Sequence, residues 1–139
     1  MRRRTRLAVL VVMVLTTGCF SMAPDRNNDP SPQVRLAFTG AFSVAAIGTA
    51  GECSLFGAPS EGTGFRFSVP GGFYPGVDGF SATEDDAGDL TMTLTTATGS
   101  FSAAGIAGAV SEDHRKMTID ADMAGEAGTV HITGSVTCP

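Results

Sequence analysis

Apolar and polar residues exchange places at every second position along much of this chain, and that alternation leaves little room for a helical core. Val130, Ile132, Gly134, Val136 and Cys138 alternate with Thr129, His131, Thr133, Ser135 and Thr137. Met117, Ile119, Ala121 and Met123 alternate with Thr118, Asp120 and Asp122, and Leu90, Met92 and Leu94 with Thr91, Thr93 and Thr95. Phe65, Phe67 and Val69 keep the same rhythm, and Phe101 and Ala103 keep it more weakly. Val34, Leu36 and Phe38, then Phe42, Val44 and Ala46, form either one bent strand or a tight pair, with Gly40 as the interruption. Successive side chains of a strand point to opposite faces, so such a pattern buries one face and wets the other. Branched Thr suits the pleat, and its hydroxyl faces water. Between the runs lie turn-forming segments: 48–51, 57–64, 70–79, 84–88, 111–116 and 125–128. The segment Ala103–Val110 is apolar enough for a helix, but Gly105 and Gly108 argue against one. The expectation is an all-β domain over residues 34–139, a small antiparallel sandwich or barrel of about six to eight strands.

The first residues follow a different logic. Met1–Arg6 carries four arginines, Leu7–Leu15 is a run of nine apolar residues, and Thr16–Gly18 is a short stretch of small residues before Cys19. Nine residues rise about 14 Å as a helix, whereas a bilayer core needs roughly 20 residues. The segment reads as a helical, cleaved export signal over residues 1–18. Leu15-Thr16-Thr17-Gly18-Cys19 resembles the lipobox of bacterial lipoproteins, with Thr16 at the place where that motif usually has Leu, Val or Ile. The resemblance implies a diacylglyceryl group on the Cys19 sulfur and cleavage of the bond before it. It also implies a domain held on the outer face of a membrane, with each buried methylene contributing about 0.8 kcal/mol. After Arg3-Arg4 the sequence continues Thr5-Arg6, where a twin-arginine signal has an apolar residue, so the general secretory route is expected. Residues 19–33, with three prolines, read as a flexible spacer.

With Cys19 assigned to lipid, Cys53 and Cys138 remain as an even pair in an oxidising compartment, which favours a disulfide over a free or metal-bound pair. A crosslink over a loop that long contributes around 4–5 kcal/mol in the chain-entropy model. A short spacer after a lipobox, an early cysteine in a Gly/Thr-rich β domain, and a final strand TVHITGSVTC together resemble small actinobacterial lipoproteins, including the mycobacterial lipoprotein-antigen family. The likeness covers the signal and the last ten or so residues. It implies a surface-exposed, non-enzymatic lipoprotein.

Charge narrows the function classes. Four of the nine basic residues lie in the first six positions, leaving five against fourteen acidic residues beyond residue 18, a formal −9. Phosphate binding needs clustered Lys and Arg, so nucleic acid is disfavoured as a partner, as is electrostatic adhesion to an anionic membrane. No GxSxG or HExxH spacing occurs. His131 sits on the wet register of the last run, and His114 in the turn EDHRK; both read as surface histidines. Glu84, Asp85, Asp86 and Asp89 are the densest acidic group and have the oxygen chemistry calcium favours, but a solvated turn looks the same and is the expectation. No enzyme activity, metal or cofactor is expected. Pro70–Phe80 (PGGFYPGVDGF) holds Phe73, Phe80 and the single tyrosine, Tyr74, among glycines and prolines. These three rings are the candidate binding residues. The competing reading makes Phe73 and Phe80 lids on the core, with Tyr74 left as the free ring. The function expected is a non-catalytic interaction or envelope module whose protein, glycan or small-molecule partner the sequence does not name. The alternative is a small-ligand carrier with a pocket inside the β domain.

Overall fold

A computed structural model describes residues 31–53 and 64–139. The signal segment 1–18, Cys19 and nearly all of the spacer lie outside the described residues. Among these residues nine strands follow one another: β1 Gln33–Gly40, β2 Val44–Gly48, β3 Glu52–Cys53, β4 Arg66–Pro70, β5 Val77–Glu84, β6 Leu90–Thr96, β7 Gly99–Ile106, β8 Lys116–Gly125 and β9 Gly128–Thr137. Among the described residues there is no helix. All nine strands belong to one antiparallel sheet in the order β2-β1-β9-β8-β7-β6-β5-β4-β3. The sheet curls into a half-barrel.

The strand count exceeds the expected six to eight because of two elements that alternation conceals. β3 is two residues long, too short for a pattern. β5 begins inside the segment expected as a turn and carries a bulge between Val77 and Gly79. An extra residue at a bulge shifts the phase, so Val77 and Phe80 both face inward three positions apart. The stretch around Gly40 resolves as a tight pair, with β1 and β2 joined through 41–43. Ala103–Ile106 lies in β7, in keeping with its glycine content.

The inward residues make one core. Val34, Leu36, Phe38, Phe65, Phe67, Leu90, Met92, Leu94, Phe101, Met117, Met123 and Ile132 are almost wholly removed from water and belong to a single cluster. The sheet brings its two ends together: Phe38 of β1 meets Phe80 of β5 edge to face at 5.8 Å, and Phe80 meets Phe67 of β4 at 6.2 Å. The two sheet edges are also neighbours in sequence, since β2 and β3 are separated only by residues 49–51. Four peptide steps reach about 14 Å at most, which bounds the seam between the edges there.

A second opening lies between β7 and β8, which pair only at Phe101–Gly125 and Ser102–Ala124. The segment 107–115 fills the space where they part. Ala109 is buried, and its carbonyl accepts from Thr118 N–H at 2.8 Å.

Candidate functional site

The loop between β4 and β5 holds the three candidate rings, and the structure separates them sharply. Phe73 is 59% exposed, whereas Tyr74 is 8% and Phe80 4% exposed. Phe80 is a core residue, and Phe73 is not a lid. Tyr74 is not the free ring. Its side chain turns in toward the seam between the sheet edges, and its hydroxyl donates to the Ala50 carbonyl at 3.1 Å, on the segment that joins β2 to β3. Burial pushes the Tyr74 phenol up from its ordinary value. The turn is closed by Val77 N–H donating to the Tyr74 carbonyl at 3.1 Å. Gly76 has φ +74, and a Cβ there would fall 2.9 Å from the Phe42 ring, so only glycine lets the loop lie against Phe42. Phe73 is thus the one ring of the three that the domain offers to a partner.

Cys53 and Cys138 form a disulfide with Cα atoms 5.8 Å apart. It ties β3, at one edge of the sheet, to the end of β9. The residues of the acidic turn divide their duties. Asp85 Oδ1 accepts from Ala87 N–H and Asp89 N–H at 2.9 and 3.0 Å, an Asx-type cap on its own turn. Glu84 is buried and points the other way. Its Oε2 accepts from Phe65 N–H at 2.8 Å and lies 2.7 Å from His114 Nδ1. Among the described residues no group of His, Cys, Asp or Glu has a geometry that would hold a metal.

Both histidines, expected as ordinary surface groups, are engaged with carboxylates. His114 is the one non-glycine residue with positive φ, at 56°, among the described residues, and Glu84 holds it there. On the outer face, His131 Nδ1 lies 2.7 Å from Asp122 Oδ1 and its Nε2 3.1 Å from Asp120 Oδ1. When protonated, the ring can donate to a carboxylate from each nitrogen. The hydrogen bond with Asp122, reinforced by the charges of Asp122 and Asp120, raises the His131 pKa above its ordinary value.

Where Val34, Phe38, Val69, Tyr74 and Phe80 meet inside the curl, the residual space is about 10 Å³. Small-molecule pockets run to about 300–1,000 Å³. The larger hollows are outside and open. One of about 380 Å³ lies over Glu52, Ser68, Ser81, Thr93 and Thr95. Another of about 250 Å³ lies over Ala37, Ala45, Thr133 and Gly134. Among the described residues, the surface features open to a partner include the Phe73 loop, the hydroxyl-lined hollow, and the apolar flank of β1 and β2. Comparison with family models, with curated proteins and with solved structures gives no match to this chain.

Proposed function

We propose that this chain is an exported lipoprotein, with its lipid on Cys19, whose β domain is a non-catalytic interaction module at the outer face of a membrane. The observation that carries the proposal is the Cys53–Cys138 disulfide. It fits an oxidising compartment, and it accounts for two of the three cysteines while leaving Cys19, directly after the Thr16–Gly18 stretch, outside the pair. The filled interior favours a module that acts through its surface over a carrier that encloses a ligand. Phe73 is the first side chain to test for contact, because an exposed ring with two torsions orders at little entropic cost.

The test is the mass and N-terminal residue of the protein isolated from membranes. A chain beginning at Cys19 and carrying acyl mass is expected, and Cys19→Ala should abolish both the acyl mass and the membrane association. A mature chain that starts elsewhere, or carries no lipid, overturns the reading.

A further inference from the structure

We propose that β2 is a homotypic contact strand, through which two copies of this chain pair antiparallel, edge to edge, about a two-fold axis at Ala46. The sheet has two edges, and they are treated differently. β3 is two residues long and tied down by the disulfide, the kind of short, blocked edge that discourages pairing. β2 is five residues long, VAAIG, with no charge and no proline. Among the described residues it pairs only with β1, so the outward row of its N–H and C=O groups has no strand hydrogen-bonded to it, while Tyr74 of the facing edge meets the strand at its Gly48 end.

The face beside that edge has a projection and a recess on the same strand. Ile47 projects, 71% exposed. Ala45 and Ala37, paired across β2 and β1, line the open hollow of about 250 Å³ together with Gly134. With the axis at Ala46, Ile47 of each copy stands opposite Ala45 of the other, on the same outward face. Its branched side chain then lies over an alanine, at the mouth of the hollow. A large residue against a small one, repeated by symmetry, is the self-complementarity that a two-fold contact requires.

Charge also selects this edge. In a chain of formal net charge −5, neither β1 nor β2 carries an acidic residue, and Arg35 is their one charge. Contacts at the hairpin 85–89 or at Asp120 and Asp122 would instead oppose acid to acid. The two Arg35 side chains would stand about 14 Å apart, three strand spacings of roughly 4.8 Å, beyond the screening length of about 8 Å. Five-residue edges bury far less than the roughly 1,200 Å² of a stable interface. The pair is therefore weak between dilute molecules, and it forms where copies are held together at high local concentration.

The experiment uses full-length chains carrying Ala45→Cys and Ile47→Cys, each with its own epitope tag, co-expressed and oxidised in intact cells. Both positions are exposed, so the fold should tolerate them. A mixed dimer from this pair is expected at about tenfold or more over Ala45→Cys alone, and over a Thr93→Cys pair on the far outer face. No mixed dimer, equal yields from all pairs, or preferential joining of two Ala45→Cys chains to each other overturns the proposal. The proposal rests on the Cys19 reading for that local concentration, and acyl mass measured on the same chains separates the failures: no mixed dimer from acylated chains overturns the pairing, whereas chains without acyl mass overturn the Cys19 reading.

Discussion

Tyr74 is held by geometry that makes it a reporter as well as a plug. Removing its hydroxyl in Tyr74→Phe should cost about 0.5–1.5 kcal/mol, the worth of one hydrogen bond, with the ring retained. Phe80→Ala should cost about 3–5 kcal/mol, and Phe73→Ala less than about 0.5 kcal/mol, because one ring is packed and the other is wet. Urea unfolding of the three variants checks the ranking. Since Tyr74 is the single tyrosine and the chain has no tryptophan, its tyrosinate absorbance can be followed in the unmodified protein. The midpoint should lie above the ordinary phenol value of 10.0 and fall to it in denaturant. A raised folded value means that this contribution is intact below the unfolded pKa and is lost as pH rises through the folded one. His131 follows the same sign at lower pH. Its stabilising effect should be complete below the ordinary histidine value of 6.5 and disappear as pH rises through the raised folded value. His131→Gln should remove that component of the stability–pH profile, and an unchanged profile would contradict the clamp. Gly134, at φ +129, shows the backbone acting as a ligand of the backbone, because any Cβ there would collide with the Arg35 carbonyl of β1.

At the scale of elements, Glu84 is the end of β5 that fastens two distant pieces of chain. Glu84→Ala strands the buried Phe65 N–H and releases His114, and should cost about 1–3 kcal/mol. Glu84→Gln keeps an acceptor for Phe65 and should lose less; urea midpoints of the two variants separate the hydrogen bond from the charge. Whether such a pair is legible in the sequence depends on whether a short turn sets the register. The β8–β9 hairpin turns at Glu126-Ala127, so Gly125 faces Gly128, and counting back places Asp122 opposite His131. That clamp is legible from the two alternating runs and the turn between them. The Glu84–His114 pair spans 30 positions and two intervening strands, so no local rule reaches it. Alternation likewise announces β6, β8 and β9 but not β5, whose bulge breaks the period. The fate of the three rings in the segment 70–80 follows from that loss. Phe80 looks like loop although it is strand, and the inward turn of Tyr74 depends on a seam that exists only once β1 and β2 lie against β4 and β5.

At the scale of the molecule, the disulfide joins the least-supported strand to the end of the chain. Replacing Cys53 and Cys138 together by Ala should lower stability by around 4–5 kcal/mol on the loop-entropy estimate, measured as the shift in urea unfolding free energy. The strand order carries a consequence in time. The first hairpin, β1 with β2, has no place in the sheet until β9 arrives, because β9 lies between β1 and β8. A chain that emerges N-terminus first therefore holds β1 and β2 unpaired with the rest until β9 is free. The meander from β3 to β8 can assemble in order, yet it ends on a bare strand until the last one is delivered. Completion waits on the least local contacts, which are the slow ones to form. Loss of β9 would leave a hairpin and a meander with nothing between them. The finished sheet thus reports that β9 has been inserted, and without that strand the β1–β2 hairpin stays detached from the meander.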